Sequence, residues 1–239
     1  AATGTPFLFV IDFLKSQGLV MTPEEAAAGH VFFTLNGSTN YVNPARAQNV
    51  VQFELFPASF EQYEKAFNKV QFHLNRGDTY LLNLTFPTPV KTNLSLEEIF
   101  IHSRAPFKLL LKDYFVVFSP EIFIRIKEDK IFSFPMKGTI DAAIPDAEQR
   151  ILEDKKELFE HNTIVDLIRN DLAMVSTSVK VERFRYIDRI VANTGELLQV
   201  SSEITGTLER YWNKRVGDII FTLLPAGSVT GAPKEKTVQ

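Results

Sequence analysis

Residues 107–134 read FKLLLKDYFVVFSPEIFIRIKEDKIFSF. Short apolar runs rich in Phe, Ile and Val alternate here with polar turns, of which Asp113 and Glu128-Asp129 are the clearest. Strands joined by such short connections pair antiparallel, so this stretch predicts an antiparallel meander running from FKLLL through YFVVF and EIFIRI to KIFSF.

Helical and extended patterns surround this stretch. Ser59 with Gln62 and Ser95 with Glu98 are capping boxes that open helices. Asp146 to Ala173 predicts a long helical stretch with a break near Asn162. Further strand patterns are Val31–Leu35, Val51 onward, Thr79–Phe86, Val179–Ile187, Arg189–Ala192 and Leu197–Thr205, and Asn213–Leu224 reads as a helix. The mixture predicts an α+β fold, and the absence of repeats or linkers predicts one domain over residues 1–239.

Composition excludes several classes of function. The net charge of −3 supplies no field that would attract nucleic acid or an anionic membrane surface. The chain has no Cys, which excludes disulfides, thiolate metal sites and a thiol nucleophile. No apolar run approaches the ~18 residues of a membrane span, and the N-terminus lacks the basic region of a signal peptide. We therefore expect a cytoplasmic protein that binds neither membrane nor nucleic acid.

Two residues of the strand region are candidates for acid–base or nucleophilic chemistry. Glu121 follows Pro120 in FSPE, and Lys137 stands between Pro135 and Gly138 in FPMKGT, which we read as a tight turn. Taken alone, each would more often be a solvated surface residue. Because a two-strand excursion separates them, antiparallel pairing can bring both side chains to one end of a sheet.

Two further segments carry polar groups at meaningful spacing. In KELFEHNTIVDLIRNDLA, Glu157 and Glu160 project from one helical face, which suits Mg²⁺ or an ordinary solvated surface; His161 is more often a surface or core residue than a ligand. In PAGSVTGAPK, backbone N–H groups and hydroxyls converge before a helix start, which suits a substrate carboxylate or an ordinary helix cap. The residues concerned are Gly227, Ser228, Thr230 and Gly231.

These four segments, in this order, resemble the chorismate-utilising enzymes, and the resemblance covers Thr79 to Gln239. It implies facing antiparallel sheets flanked by helices, with the active site between them. Members of that family continue beyond the GAPK helix, where they carry another Mg²⁺-binding Glu. We therefore expect the C-terminal part of the fold to be missing from this chain.

Within that family, the residue before Gly-Thr separates the chemistries. Lys137 matches the pattern of aminodeoxychorismate synthases, whereas anthranilate synthases carry Ala there. Gln199 falls where anthranilate synthases have His, and Leu81 falls where isochorismate synthases have a water-activating Lys. The resemblance thus implies an enzyme of p-aminobenzoate and folate biosynthesis. The alternatives are an anthranilate synthase large subunit and an inactive member that acts as a binding subunit.

The resemblance also implies a role for each matched residue. Lys137 would attack C2 of chorismate, and Glu121 would be the acid–base residue. Glu157 and Glu160 would belong to the Mg²⁺ site. The residues expected to hold the substrate are Gly138, Thr139, Gln199, Gly227, Ser228, Thr230 and Gly231. Because glutaminases of the amidotransferase type use a Cys nucleophile, ammonia would come from a separate glutamine amidotransferase subunit.

Two positions depart from the expected pattern. Ile140 replaces the Arg that often follows P-x-K-G-T, and Leu81 replaces a Gln common in related synthases. Both replacements remove polar groups, so we expect weaker substrate binding at these points.

Overall fold

The structure, a computed structural model, describes residues 4–42, 50–119, 121–192 and 195–238. Its strands are β1 (Leu8–Ile11), β2 (Gly18–Met21), β3 (Val31–Leu35), β4 (Ser38–Thr39), β5 (Phe53–Leu55), β6 (Leu81–Leu82), β7 (Val90–Thr92), β8 (Phe107–Leu111), β9 (Phe115–Ser119), β10 (Arg125–Lys127), β11 (Lys130–Ser133), β12 (Met136–Asp141), β13 (Thr177–Ala192), β14 (Gly195–Thr207) and β15 (Gly231–Ala232).

Its helices are α1 (Pro23–Ala28), α2 (Phe60–Asn75), α3 (Leu96–His102), α4 (Ala147–Glu153), α5 (Lys155–Ala173), α6 (Val216–Leu223), α7 (Gly227–Thr230) and α8 (Lys234–Val238), with a short 3-10 helix at Trp212–Lys214. None of the helices in the described ranges is long and apolar enough to cross a membrane. Helices mixed with antiparallel sheets confirm the α+β class.

The chain divides into two compact units: residues 1–75 with 84–120, and residues 76–83 with 121–239. Each unit has its own sheet and its own buried apolar cluster. That the chain forms a single domain over residues 1–239, with its sheets facing each other, stays a prediction.

The first unit is built on a four-stranded antiparallel sheet in the order β4-β3-β8-β9. Strand β3 has the bounds that VFFTL predicts, and its Val31 and Phe33 are buried on one face beside Ala26 of α1. Both predicted capping boxes are confirmed. The Ser59 hydroxyl accepts from the Gln62 N–H at 3.2 Å before α2, and Ser95 pairs in the same way with its N3 glutamate before α3.

The second unit is organised around the long strand β14. Strand β13 pairs with β14 along one edge, and β11 followed by β12 pairs along the other, with β10 outside β11. Both joins on the second edge are antiparallel, so β11 and β12 act as one interrupted strand. The break between them falls at Phe134 and Pro135, because proline has no N–H for a ladder bond.

Helix α5 packs on one face of this sheet. Its residues Ile164, Val165, Ile168 and Leu172 recur at helical spacing and are buried against Ile131 and Ile204. Each such side chain contributes about 1.5–3 kcal/mol by leaving water. The apolar stripe therefore fixes which face of α5 meets the sheet, and it determines where the helix carboxylates lie.

The predicted meander over residues 107–134 is wrong as a single sheet. Its first two strands, β8 and β9, join the sheet of the first unit, and its last two, β10 and β11, join the sheet of the second. The boundary between the units falls between Pro120 and Glu121. Hairpin spacing alone predicts pairing between neighbours, and it carries no information about where a chain leaves one sheet for another.

Two element boundaries also differ from expectation. The helical break falls at Asp154 and not near Asn162, because the Asp154 carboxylate accepts the Glu157 N–H at 3.0 Å and caps α5. The strand expected over Thr79–Phe86 shrinks to Leu81–Leu82, since its partner β15 is only two residues long.

A buried polar network fastens α5 to the sheet. His161 is fully buried, and its Nε2 lies 2.7 Å from the Ser202 hydroxyl on β14. The same hydroxyl accepts the Arg185 N–H at 3.0 Å. Burial lowers the pKa of His161 to about 4; nearby Arg185 also lowers it, while the adjacent Lys137 backbone favours protonation. His161 is therefore neutral at physiological pH.

Gly231 is required by a close approach of two backbones. Its φ is +129°, in a region that L side chains rarely adopt, and a Cβ there would overlap the Leu81 carbonyl oxygen across the β6–β15 pair. The glycine thus lets residues 231–232 pair with the segment that begins the second unit.

Titration of His161 makes stability depend on pH. The unfolded pKa near 6.5 exceeds the folded pKa of about 4, so the unfolded chain binds more protons between these values and stability rises with pH. We expect neutral His161 to make its full contribution to the free energy of unfolding above pH 6.5. That free energy should fall by about 3 kcal/mol as the pH drops toward 4. Urea unfolding of the wild type and of His161→Gln from pH 7 to 4.5 measures this. An equal decline in both proteins would contradict it.

Replacement of Gly231 by alanine should destabilise the fold by at least about 2 kcal/mol, since the added methyl forces two backbones apart. The urea midpoint reports the change. Gly217→Ala is the matched control, because a Cβ at Gly217 in α6 would meet nothing within 4 Å. Equal midpoints for the two variants would show that the close approach does not constrain the fold.

Candidate active site

Lys137 lies in a β-bulge of strand β12. The register between β12 and β14 shifts between Met136 and Thr139, so Lys137 and Gly138 together oppose one residue of β14. Gly138 has a φ of +93°. We expected a tight turn here; the structure shows a bulge inside a strand, with the glycine in the left-handed region. A bulge re-aims side chains, and this one directs Lys137 toward α5.

The bulge lies directly against the start of α5. A Cβ at Gly138 would sit 3.1 Å from Glu157 Oε2 and 3.6 Å from Ile151 Cδ1. Glycine therefore allows the backbone to approach a helix carboxylate at van der Waals distance.

Two lysines and two glutamates form one charged cluster at this contact. Lys137 Nζ lies 3.2 Å from Glu160 Oε2. Lys156 Nζ lies 3.2 Å from Glu160 Oε1 and 3.7 Å from Glu157 Oε1. Each oxygen of Glu160 thus faces a different ammonium group. Lys137 and both predicted metal ligands are therefore brought together, as the family resemblance implied.

The charge state of Glu160 follows from this cluster. Burial alone would raise the pKa of its carboxyl, but hydrogen bonds from Lys137 and Lys156 outweigh burial and hold the pKa below its usual range. Glu160 is therefore ionised at neutral pH, and it binds cations without first losing a proton.

Glu121 lies beside the bulge, and its pKa is shifted in the direction opposite to that of Glu160. It precedes β10, outside the β11–β12 edge, and its carboxylate accepts a hydrogen bond from the Met136 N–H, one residue before Lys137. Burial raises the pKa of Glu121 above its usual range, and the Met136 bond opposes this only in part. A carboxyl with a raised pKa is suited to act as a general acid, and that role for Glu121 stays a prediction.

Glu157 and Glu160 offer one side of a metal site. The described residues contain no cluster of three or more acidic, His or Cys side chains that could hold a metal. However, Mg²⁺ often binds through one or two carboxylates and keeps several waters. Lys156 Nζ already contacts both carboxylates, so the two side chains turn toward a shared cation. The pair fits Mg²⁺ in this limited sense, and the metal itself stays a prediction.

Thr139 and Gln199 lie together but on the other face of the sheet. They pair directly across β12 and β14, so both side chains leave the same face. Ser202 on β14 contacts His161 of α5, and alternation along the strand places Gln199 on the face away from α5. The register therefore joins these two predicted substrate residues without bringing them to the Lys137 ammonium.

The loop that contains Gly227 is built against the far part of α5. A Cβ at Gly227 would sit 2.9 Å from Leu167 Cδ2 and 3.0 Å from Asp171 Oδ2. Lys234 Nζ lies 2.6 Å from the same Asp171 carboxylate, with both side chains largely buried. Burial raises the pKa of Asp171, while Lys234 opposes the rise. Close packing thus accounts for the glycine, and the ion pair with Asp171 accounts for the lysine.

The other predicted residues of this loop are held by local bonds. Asn83 Nδ2 donates to the carbonyls of Ser228 and Val229, each at 2.9 Å. The Thr230 hydroxyl donates to the Ala226 carbonyl at 3.0 Å. These bonds occupy the Thr230 proton and the Ser228 carbonyl. The ordinary helix cap that we considered is not formed, because residues 227–230 are themselves the short helix α7, whose N-cap Ala226 makes no side-chain cap bond.

The two groups of predicted residues lie at different ends of α5. Glu160 and Asp171 are separated by about 16 Å along the helix axis. The structure therefore assembles Lys137, Gly138, Glu121 and the two glutamates, and it places the Gly227–Thr230 turn well apart. The proposed substrate roles of the turn stay predictions.

Leu81 and Ile140, the two departures from the expected family pattern, both make apolar contacts in the structure. Leu81 belongs to β6 and packs against the apolar cluster under α5, so its side chain serves the core. Ile140 pairs with Leu198 across β12 and β14 and is half-buried. Both positions are thus apolar contacts in this chain.

Sequence reasoning missed Lys156 and the His161 network. Lys156 stands four residues before Glu160, a spacing that places ion pairs on one helical face, so the signal was present. The contact between His161 and Ser202 joins residues far apart in the chain, and no local pattern reveals it.

Comparison with known proteins identifies the family. A family model described as chorismate binding enzyme matches residues 17–239. An uncharacterized PabA-like protein of Haemophilus influenzae is 50% identical over 235 residues, which cover 98% of this chain and 71% of that protein. Chloroplastic anthranilate synthase alpha subunit 1 of Arabidopsis thaliana is 30% identical over 234 residues, covering 91% of this chain and 36% of that protein.

Among solved structures, a protein of Bacillus anthracis described as a 2,3-dihydroxybenzoate-specific isochorismate synthase has a TM-score of 0.68 at 20% identity. The match covers 99% of this chain and 65% of that one, and at this identity it shows a shared fold alone. Because the family model spans nearly the whole chain, this protein belongs to the chorismate binding enzyme family.

Proposed function

We propose that this protein converts chorismate and ammonia to 4-amino-4-deoxychorismate, with Lys137 as the nucleophile. The observation that carries the proposal is the position of Lys137. A bulge directs its amine to 3.2 Å from Glu160, and the same bulge neighbours Glu121 through the Met136 N–H. Lys137 and the two helix carboxylates thus meet at one contact, and Glu121, a carboxyl with a raised pKa, is bonded to the backbone one residue before Lys137.

The reaction proceeds in two displacements. Lys137 first releases one ammonium proton to solvent. Its free amine then attacks C2 of chorismate, the ring double bonds shift, and the C4 hydroxyl leaves as water with a proton from Glu121. Ammonia then attacks C4, the double bonds shift back, and the C2–N bond to Lys137 breaks. The proton lost by ammonia returns to the site, so chorismate and ammonia give aminodeoxychorismate and water.

Glu157 and Glu160 would hold Mg²⁺, which when bound supplies the positive charge that neutralises a substrate carboxylate. Within the chain itself, the bulge fixes the backbone of Lys137, and α5 fixes the two carboxylates relative to it. Because these groups are already held in position, less entropy is lost when they are aligned with the substrate.

Ammonia would come from a separate glutaminase subunit. Glutaminases of the amidotransferase type use a Cys nucleophile, and this sequence has none. The family membership supports chorismate as substrate, and the partner and the pathway to p-aminobenzoate and folate belong to the proposal.

Anthranilate synthase activity is the rival product assignment, and the similarity to the Arabidopsis thaliana subunit favours it. Lys137 and Gln199 stand against it, since both differ from the anthranilate pattern. Incubation with chorismate, Mg²⁺ and ammonium salt, followed by chromatography, separates the cases. Anthranilate as the product would overturn the proposal, and absence of turnover would favour a binding role.

Replacement of Lys137 should remove the reaction. We expect Lys137→Ala to lower ammonia-dependent formation of aminodeoxychorismate by at least about 10³-fold, since the covalent route is lost. Lys137→Arg is the matched control: it keeps a cation beside Glu160 and should be equally inactive. Full activity of either variant, measured by product formation at saturating ammonium, would refute the nucleophile assignment.

Metal binding should depend on Glu160. We expect Glu160→Gln to weaken Mg²⁺ binding at least about 10-fold, measured by calorimetric titration of the purified protein. Asp166→Asn is the matched control, because Asp166 is an exposed carboxylate of the same helix outside the cluster. Equal Mg²⁺ affinity in the two variants would show that Glu160 does not bind the metal.

A further inference from the structure

His161 joins the two elements that form the charged cluster. It follows Glu160 directly on α5 and is fully buried. Its Nε2 lies 2.7 Å from the Ser202 hydroxyl, and the Lys137 backbone lies beside the same ring. One side chain therefore contacts the sheet next to the bulge while its neighbour in the chain carries the carboxylate that binds Lys137.

Ser202 connects this contact to the entry of the bulge. Its backbone N–H donates to the Pro135 carbonyl at 2.9 Å, immediately before β12. Its hydroxyl accepts the Arg185 N–H at 3.0 Å and lies 2.7 Å from His161 Nε2. One hydroxyl oxygen therefore joins β13, β14 and α5.

Arg185 ties the network to the helix that precedes α5. Its guanidinium donates to the Leu152 carbonyl at 2.8 Å and to the Ile151 carbonyl at 3.0 Å, at the end of α4. Ile151 also neighbours the position that a Gly138 side chain would take. The network thus holds the turn before α5, the helix itself and the bulge in one arrangement.

We propose that His161 is a positioning residue which, through the Ser202 hydroxyl, sets the distance between the Lys137 bulge and Glu160. The inference rests on the proposed function for its catalytic consequence, but the geometric claim stands on the contacts alone. Lys137 has a long, flexible side chain, so only a fixed backbone and a fixed partner hold its amine in one place. An error of about 1 Å in such a position can cost about 10²-fold in rate.

The first test measures the position of Lys137 without turnover. Trace acetylation with acetic anhydride, read by peptide mass spectrometry, gives a rate for each lysine. In Ser202→Ala and His161→Leu, we expect the Lys137 rate to rise roughly 5-fold, the factor set by loss of one partly exposed ion pair. The rate at Lys234, bound to Asp171 at the other end of α5, should stay unchanged.

Conservative and matched variants sharpen this test. His161→Gln keeps a hydrogen-bonding group near Nε2 and should restore a slow Lys137 rate. Thr163→Ala removes an exposed hydroxyl of the same helix that donates to the Phe159 carbonyl, and it should change neither rate. If Ser202→Ala does not fold, the comparison of His161→Gln with His161→Leu decides the question in the same assay.

Either of two results overturns the proposal. An unchanged Lys137 rate in the disruptive variants would show that the network does not hold the bulge. A parallel rise at Lys137 and Lys234 would show that it holds the whole unit and not this contact.

The second test measures kcat and KM for chorismate in the full protein. With saturating ammonium, we expect Ser202→Ala to lower kcat about 10- to 100-fold and to leave KM for chorismate within about 2-fold. The double variant with His161→Leu should be no worse than the worse single variant, since both remove one contact. A kcat at the wild-type level in Ser202→Ala would contradict the role. If the wild type makes no aminodeoxychorismate, the proposed function fails, while the acetylation result still decides the positioning.

Discussion

The contact between the β12 bulge and the first turns of α5 is the constraint on which the candidate site depends. Gly138 lets the strand backbone approach Glu157, and the Lys137 amine reaches Glu160 across the same contact. The apolar stripe of α5 sets the distance between helix and sheet from one side. The His161–Ser202 hydrogen bond sets it from within the buried layer. The buried contacts between α5 and the sheet thus set the distances between the charged groups at their edge.

This arrangement separates carboxyl groups by their surroundings. Glu160 is flanked by two ammonium groups that lower its pKa, whereas burial raises the pKa of Glu121. One carboxyl that contacts Lys137 and one that is bonded to the Met136 N–H therefore favour different protonation states. Such a division is what a reaction with one leaving hydroxyl and one bound anion requires, and it follows from burial and ion pairing alone.

Local chemistry in the sequence predicted much of the structure. The capping boxes at Ser59 and Ser95 correctly predicted two helix starts, and apolar runs predicted strands such as β3, β8 and β9. The start of strand β12 was predicted to be a tight turn, because Pro135 and Gly138 bracket Lys137. The separation of β9 from β10 into different sheets was missed, because strand patterns do not say which strands share a sheet. The order of motifs indicated that Lys137, Glu157 and Glu160 belong together. It could not show that strand parity places Gln199 on the opposite face.

The central claim is that the Lys137 amine forms a bond to the substrate ring. The most direct measurement is mass spectrometry of the protein after incubation with chorismate and Mg²⁺ in the absence of ammonia, followed by acid quench and peptide mapping. The account predicts an adduct of chorismate less water on the peptide that contains Lys137, which disappears when ammonia is added. Formation of aminodeoxychorismate without any such adduct, or with the adduct on another residue, would contradict it.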